Sequence, residues 1–153
     1  MQRQKSTVEW DPGDSAAYLL GRAARLFTRR ADERLRKHGF GAAQVPVLRA
    51  LKDGVAMSQT ELATLAQIEQ PTMAQMLARM ERDGVVRRTP DPEDGRSSLV
   101  SLTAASLAKV AAARRVLVQG SEEMLAGLSA AEIAQLGALL KRMIANLEAD
   151  DTR

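Results

Sequence analysis

Apolar positions recur along most of the chain at the three- and four-residue spacing of amphipathic helices, with glycine or proline between them. A first helix is predicted from an N-cap at Asp14 or Ser15 to about Lys37, where the segment HGFG ends it. A second helix is predicted in AAQVPVLRALKD, with Pro46 near its start, and the short extended piece VAM follows. The pattern predicts a mainly helical chain.

The segment MSQTEL, residues 57–62, contains the pattern of a capping box. Ser58 can accept a hydrogen bond from the backbone of Glu61 while the Glu61 carboxylate reaches back to the backbone of Ser58. A helix is therefore predicted from Gln59, ending within AQIEQ. The next helix opens with EQPT, where Glu69 is the N-cap and Pro71 is tolerated in the first turn.

This next helix has two distinct faces. Its apolar stripe has the spacing of a buried surface and consists of Met73, Met76, Leu77 and Met80. On another face lie Thr72, Gln75 and Arg79, with small alanines nearby. Such a face is either a solvated surface or one that reads base edges in a major groove, glutamine toward adenine and arginine toward guanine.

Two β-forming segments, VVRRT and SLVSL, flank the loop PDPEDGRS, and a further helix is predicted from about Thr103 to Leu125. A short helix, a turn, a longer helix and a hairpin form the winged helix-turn-helix arrangement. Prolines and acids in the hairpin loop also discourage pairing at a sheet edge, which is a purely structural alternative. That alternative leaves three arginines unexplained: Arg87, Arg88 and Arg96.

The C-terminal segment LSAAEIAQLGALLKRMIANLEADD begins with a second capping box, Ser129 to Glu132. A broad apolar stripe follows, made of Leu136, Leu139, Leu140, Met143 and Leu147. A terminal helix this apolar needs a partner, either within the monomer or in a two-fold mate. We predict that it forms part of a dimer interface.

Composition narrows the possible functions. A chain of 153 residues suits one domain, and 45% hydrophobic with 3% aromatic residues indicates an aliphatic core. There is no cysteine and the single histidine is His38, so disulfides, thiolate catalysis and paired-histidine metal sites are excluded. Paired carboxylates are the remaining catalytic chemistry. We expect a protein that is not an enzyme, with no catalytic residues, metal site or cofactor.

The net charge is +3, and the excess is concentrated in residues 21–37, which hold seven basic and two acidic side chains. A polyanionic partner and ordinary solvated helices explain this equally well. No run of about 18 apolar residues occurs, and the N-terminus has no apolar run behind its basic residues. A cytoplasmic protein without a membrane partner is expected.

Residues 58–103 contain, in this order, the segments SQTELA, QPT, LARMERDGVVRR, DPEDGR and SLT. These segments, in their order and spacing, resemble the DNA-binding core of MarR-type transcriptional regulators. The resemblance continues in the long first helix, in HGFGAAQVPVLRAL and in the two C-terminal helices. It therefore covers nearly the whole chain. It implies a mainly α fold with a small β-hairpin wing, in which residues 1–153 form one domain with a winged helix-turn-helix core at 42–103 and dimerisation helices at 14–38 and 104–148.

The resemblance also implies function: a homodimeric repressor that binds a near-palindromic operator in double-stranded DNA and responds to a small aromatic or phenolic effector. The expected DNA-binding residues are Ser58, Gln59, Gln70, Thr72, Gln75, Arg79, Arg87, Arg88, Asp94 and Arg96. Among them Arg96 is expected to reach the minor groove and Asp94 to brace the wing. An effector pocket is expected to involve Tyr18, Arg22, Phe40, Arg49 and Arg114. An architectural protein or a protein-interaction module of the same fold is the alternative.

Overall fold

The computed structural model describes Gly13 and residues 15–150, the last by its backbone alone. It is mainly helical with one small sheet, which confirms the predicted fold class. The elements, in chain order, are α1 (Ala16–Leu35), α2 (Val45–Leu51), β1 (Met57–Ser58), α3 (Gln59–Ala66), α4 (Gln70–Arg82), β2 (Val86–Pro90), β3 (Ser98–Leu102), α5 (Ala104–Met124) and α6 (Ala130–Asp150).

Helix α1 begins and ends close to the predicted residues. The Ser15 hydroxyl accepts a hydrogen bond from the backbone N–H of Tyr18 at 3.2 Å, so Ser15 is an N-cap. Asp14, the alternative cap, lies outside the described residues. A 3-10 turn, Arg36–His38, follows the helix, and Gly39 then adopts a φ of 80°, a conformation that glycine takes without strain.

The second helix is shorter than the predicted segment of residues 42–53. Ala42–Gln44 form a 3-10 turn, and the α-helix begins only at Val45. Pro46 therefore lies in the first turn, where its missing N–H removes no helical hydrogen bond. The Asp32 carboxylate of α1 accepts a 2.6 Å hydrogen bond from the backbone of Ala42, which fixes the 3-10 turn to α1.

The sheet has three antiparallel strands in the order β1-β3-β2, one more than the predicted hairpin. Strands β2 and β3 pair from Val86 with Leu102 to Pro90 with Ser98. Strand β1 adds two pairs on the other edge of β3, so that Ser58 lies opposite Leu99. Of the predicted extended piece VAM, only Met57 is part of the sheet, and strand β1 ties the start of α3 to the wing.

The core is aliphatic, as the composition predicts. Its fully buried side chains come from α1 to α4 and from the sheet: Leu35, Val47, Leu51, Leu62, Met73, Leu77, Met80, Val86, Val100 and Leu102. Burying a side chain of this size contributes about 1.5–3 kcal/mol. The α4 stripe therefore determines which side of α4 faces solvent.

The described residues divide into two compact units, with the division between Leu117 and Val118 in α5. The first unit contains the helix-turn-helix and the wing, and the second contains the end of α5 and all of α6. The predicted division into a core at 42–103 and dimerisation helices at 14–38 and 104–148 stays a prediction. Within residues 15–150, no helix has the length and apolar character needed to cross a membrane.

Candidate nucleic-acid interface

The helix-turn-helix is held by local hydrogen bonds at each end of α3. The predicted capping box is confirmed: the Glu61 N–H donates to the Ser58 hydroxyl at 3.2 Å, and the Ser58 N–H donates to the Glu61 carboxylate at 2.7 Å. At the other end, Gln67 adopts the left-handed conformation with a φ of 53°. This residue turns the chain sharply, and α4 starts at Gln70.

Helix α4 presents the two predicted faces. Met73, Leu77 and Met80 are each 0% exposed, and Met76 is half-buried. The polar residues proposed to read bases are all exposed: Gln70, Thr72, Gln75 and Arg79. The predicted buried stripe is confirmed, whereas the contacts of the polar face with DNA stay a prediction.

No side chain caps the N-terminus of α4, since Glu69 makes no capping hydrogen bond. Pro71 has no N–H, and the first helical hydrogen bond within this turn is donated by Met73 to the Glu69 carbonyl at 2.9 Å. An uncapped helix N-terminus carries partial positive charge and exposed N–H donors. It can therefore accept a phosphate.

One contact across the helix-turn-helix was not predicted. The side-chain amide of Gln59 donates to the side-chain carbonyl of Gln70 at 3.4 Å. Gln59 is the first residue of α3 and Gln70 the first residue of α4. Nothing in the local sequence indicates the pair, because the two residues are eleven positions apart and meet only when the turn has formed.

The loop of the wing, residues 91–97, is braced by two aspartates. Asp94 accepts a 3.0 Å hydrogen bond from the backbone N–H of Arg96, which confirms the prediction that Asp94 braces the wing. Asp91 accepts one from the backbone of Glu93 at 2.9 Å and another from the Ser97 hydroxyl at 3.4 Å. This role of Asp91 was not predicted from the sequence. The Arg96 side chain is exposed at the far end of the loop.

The two arginines of β2 differ in their surroundings. Arg87 is exposed, and its Nε donates to the Ser101 hydroxyl of β3 at 3.3 Å. Arg88 is half-buried and forms an ion pair with Glu81 of α4, with 3.3 Å between Nε and the carboxylate oxygen. Arg88 therefore links β2 of the wing to α4, a structural role that was not predicted from the sequence.

Thr103 connects the end of α4 with the start of α5. Its hydroxyl donates to the Gly84 carbonyl at 2.8 Å and accepts from the backbone of Ser106 at 3.3 Å. Gly84 has a φ of 72°, as expected for the residue that follows a helix. These bonds fix the end of α4 relative to the start of α5.

In the second unit, the predicted capping box at α6 is present. The backbone N–H of Ser129 donates to the Glu132 carboxylate at 2.7 Å, and the Ser129 hydroxyl donates to it at 2.8 Å. Both hydrogen bonds lower the pKa of Glu132 below its ordinary value, and the bond from the backbone has the larger effect. The predicted interface stripe is at least partly accessible: Leu136, Leu139 and Leu147 are exposed, and Leu140 and Met143 are half-buried.

The residues proposed for an effector pocket do not share one environment. Tyr18, Arg22, Arg49 and Arg114 are exposed, whereas Phe40 is 4% exposed and packs in the core. An open groove of about 610 Å³ runs along α1, but none of these five residues lines it. The lining residues of this groove are Ala24, Arg25, Thr28, Arg29, Asp32, Glu33 and Arg36.

Comparisons with known proteins agree with this geometry. Residues 41–98 match the model of the MarR family. The transcriptional regulator HosA of Escherichia coli O111:H- is 39% identical over 101 residues, which are 66% of this chain and 75% of HosA. The transcriptional repressor IacR of Pseudomonas putida is 28% identical over 92% of this chain and 84% of IacR. A mutant of MarR from E. coli in complex with operator DNA has a TM-score of 0.75 and 28% identity, over 83% of this chain and 91% of that one.

Proposed function

This chain belongs to the MarR family of DNA-binding transcription regulators, and we propose that it acts as a homodimeric repressor of a near-palindromic operator, with an affinity that a small effector lowers. The observation that carries the proposal is the exposed polar face of α4, together with a wing loop in which Asp94 holds the backbone of the exposed Arg96. The name of the relative IacR supports repression. We also propose that the protein is cytoplasmic, because that compartment contains the DNA.

We assign base reading to four side chains of α4. A helix of 13 residues is about 20 Å long, and the major groove admits one helix. Thr72, Gln75 and Arg79 follow one another along the exposed face, and Gln70 precedes them at the N-terminus. Because the opposite face is buried in the core, α4 can turn only its exposed face, on which these residues lie, toward a groove.

We propose that the helix N-termini and the wing make the contacts with DNA phosphates. Ser58 and Gln59 lie at the start of α3, and the uncapped first turn of α4 offers N–H donors. Arg87 is exposed on β2, the first strand of the wing. Arg88 has a second role, since its ion pair with Glu81 orients β2 against α4.

Bulk charge does not explain DNA binding here. Residues 42–103 contain seven basic and eight acidic side chains. Several of the acids are engaged within the protein: Asp91 and Asp94 accept from the wing backbone, Glu61 caps α3 and Glu81 pairs with Arg88. Among the described residues, Arg79 and Arg96 form no ion pair. We therefore expect the DNA affinity to fall only gradually with rising salt, because only a few cations contact phosphates.

The apolar stripe of α6 supports the homodimer. Leu147 is 69% exposed and Leu139 is 46% exposed. Monomeric soluble proteins rarely expose a continuous row of apolar side chains along one helix. A two-fold mate that covers the stripe gives the protein two recognition helices. These would read half-sites about 34 Å apart, one turn of DNA.

We propose further that the effector is a small aromatic or phenolic anion. Tyr18 offers a ring for stacking, and Arg22, Arg49 and Arg114 offer guanidinium groups for a carboxylate. Phe40 is buried in the core and takes no direct part. Titration of a protein–operator complex with a simple hydroxybenzoate tests this part, and unchanged operator affinity at saturating ligand would remove it.

Footprinting on the DNA upstream of the gene tests the function itself. We expect protection of a near-palindrome by the dimer, at a position that overlaps a promoter. Uniform protection along the fragment would instead indicate an architectural protein. A complete lack of salt-dependent binding to duplex DNA would indicate a module for protein contacts.

A further inference from the structure

The hydrogen bond between Gln59 and Gln70 joins two residues that each open a helix of the helix-turn-helix. Gln70 is exposed and Gln59 is half-buried. The bond uses the carbonyl oxygen of the Gln70 side chain as acceptor and leaves the Gln70 NH₂ group without a partner among the described residues. In this arrangement the NH₂ end of the Gln70 amide is the one available to DNA.

The backbone of Gln59 follows directly on a residue that is fixed by the sheet and by the helix cap. The preceding residue, Ser58, pairs with Leu99 of β3 and forms both bonds of the capping box with Glu61. The backbone of Gln59 therefore follows the sheet and the α3 N-terminus. The Gln70 side chain has three rotatable bonds and no other side-chain partner in the described structure.

We propose that Gln59 is a positioning residue that determines base preference through Gln70. With its carbonyl oxygen occupied by Gln59, Gln70 presents N–H donors to the groove. It then selects a base-edge acceptor, such as guanine O6 or N7 or thymine O4, over the donor that adenine N6 or cytosine N4 presents. This inference rests on the proposed function, because it requires α4 to lie in a major groove.

The pair also changes the expectation for Gln70. A free glutamine reads adenine with both ends of its amide, as acceptor from N6 and donor to N7. Gln59 competes for the acceptor end, so this bidentate contact is weakened. The contribution of one exposed neutral hydrogen bond corresponds to a factor of about two to ten in base discrimination.

The test measures base preference rather than affinity alone. An operator is first selected from a random duplex pool, and the base pair read by Gln70 is identified as the one at which Gln70→Ala loses discrimination. We expect Gln59→Ala to reduce discrimination at that same base pair by about two- to tenfold and to have no further effect on it in the Gln70→Ala background. Circular dichroism and sedimentation confirm that each variant is folded and assembled as the wild type.

Two matched variants sharpen the result. Gln75 lies on the exposed face of α4, as Gln70 does, and forms no hydrogen bond with Gln59 in the described structure, so the effects of Gln59→Ala and Gln75→Ala should add. Gln59→Glu can accept a hydrogen bond but cannot donate one, so the Gln70 amide should turn over and present its oxygen. The preferred base at the Gln70 position should then shift toward one with a donor, adenine or cytosine.

The outcomes separate this inference from the function on which it rests. If the wild type selects an operator but Gln59→Ala weakens every base variant equally and adds to Gln70→Ala, Gln59 contacts the backbone and the inference is wrong. An unchanged preference in Gln59→Glu would also overturn it. If the wild type selects no sequence at all, both the inference and the operator proposal fail.

Discussion

Replacing Asp94 with alanine should weaken operator binding although it removes a negative charge close to DNA. The substitution deletes the 3.0 Å hydrogen bond from the backbone of Arg96, which orders the loop that carries the arginine. A hydrogen bond of this kind contributes about 1 kcal/mol net. Repulsion between Asp94 and a phosphate about 10 Å away is at most about 0.4 kcal/mol in water, and salt screens it further. Loss of order therefore outweighs relief of repulsion, and binding should weaken by about three- to fivefold.

Asp94→Asn is the matched control because it removes the charge and keeps the side-chain oxygen that accepts from Arg96. We expect this variant to bind at least as tightly as the wild type. Arg96→Ala keeps the backbone N–H and therefore the turn, but loses the cation. It should fold and dimerise normally, weaken binding, and reduce the slope of log affinity against log salt by about one unit.

Fluorescence anisotropy with a labelled operator, at salt concentrations between about 50 and 200 mM, measures all three variants. The reasoning is refuted if Asp94→Ala binds tighter than the wild type while Arg96→Ala is unchanged in both affinity and salt slope. In that case the loop is a solvated turn that does not approach DNA. Weaker binding by Asp94→Asn and Asp94→Ala to the same degree would instead assign the effect to charge.

Three further predictions concern the reading face, the dimer and the pH response. Arg79→Ala should cost about 1–3 kcal/mol on the operator and relax preference at one base pair, and an equal loss on all sequences in a binding titration would assign Arg79 to the backbone. Deletion of residues 129–153 should abolish dimerisation and tight binding, and sedimentation of an intact dimer would contradict this. The lowered pKa of Glu132 contributes stability that is present above its ordinary value of 4.5 and is lost as pH falls through the folded-state pKa. Glu132→Gln should therefore melt earlier than the wild type at neutral pH, and this difference should disappear in strong acid; an equal difference at both pH values would contradict the assignment.

Features that depend on local chemistry were predictable from the sequence. Ser58 with Glu61 and Ser129 with Glu132 each form a capping box from residues three positions apart, and both are present. The buried stripe of α4 follows from helical spacing alone. Asp94 could be assigned to the turn because an aspartate accepts from a backbone N–H two residues ahead.

Features that depend on contacts between distant residues were not predictable. Strand β1 is two residues long, and only its pairing with Leu99 and Val100 makes it a strand. The bond between Gln59 and Gln70 requires the tight turn at Gln67. Phe40 follows Gly39, the glycine that ends the first helical segment, and was expected at a pocket. Its ring is instead buried in the apolar core, which forms from residues far apart in the sequence.

The central claim is that the exposed face of α4 reads a specific sequence, and its most direct test is the ratio of two affinities. The wild-type protein is titrated with its selected operator and with a scrambled duplex of equal length at one salt concentration. We predict that the operator binds at least about 1,000-fold more tightly than the scrambled duplex. Arg79→Ala should lower the affinity for the operator more than the affinity for the scrambled duplex. Equal affinity for the two duplexes would contradict the central claim.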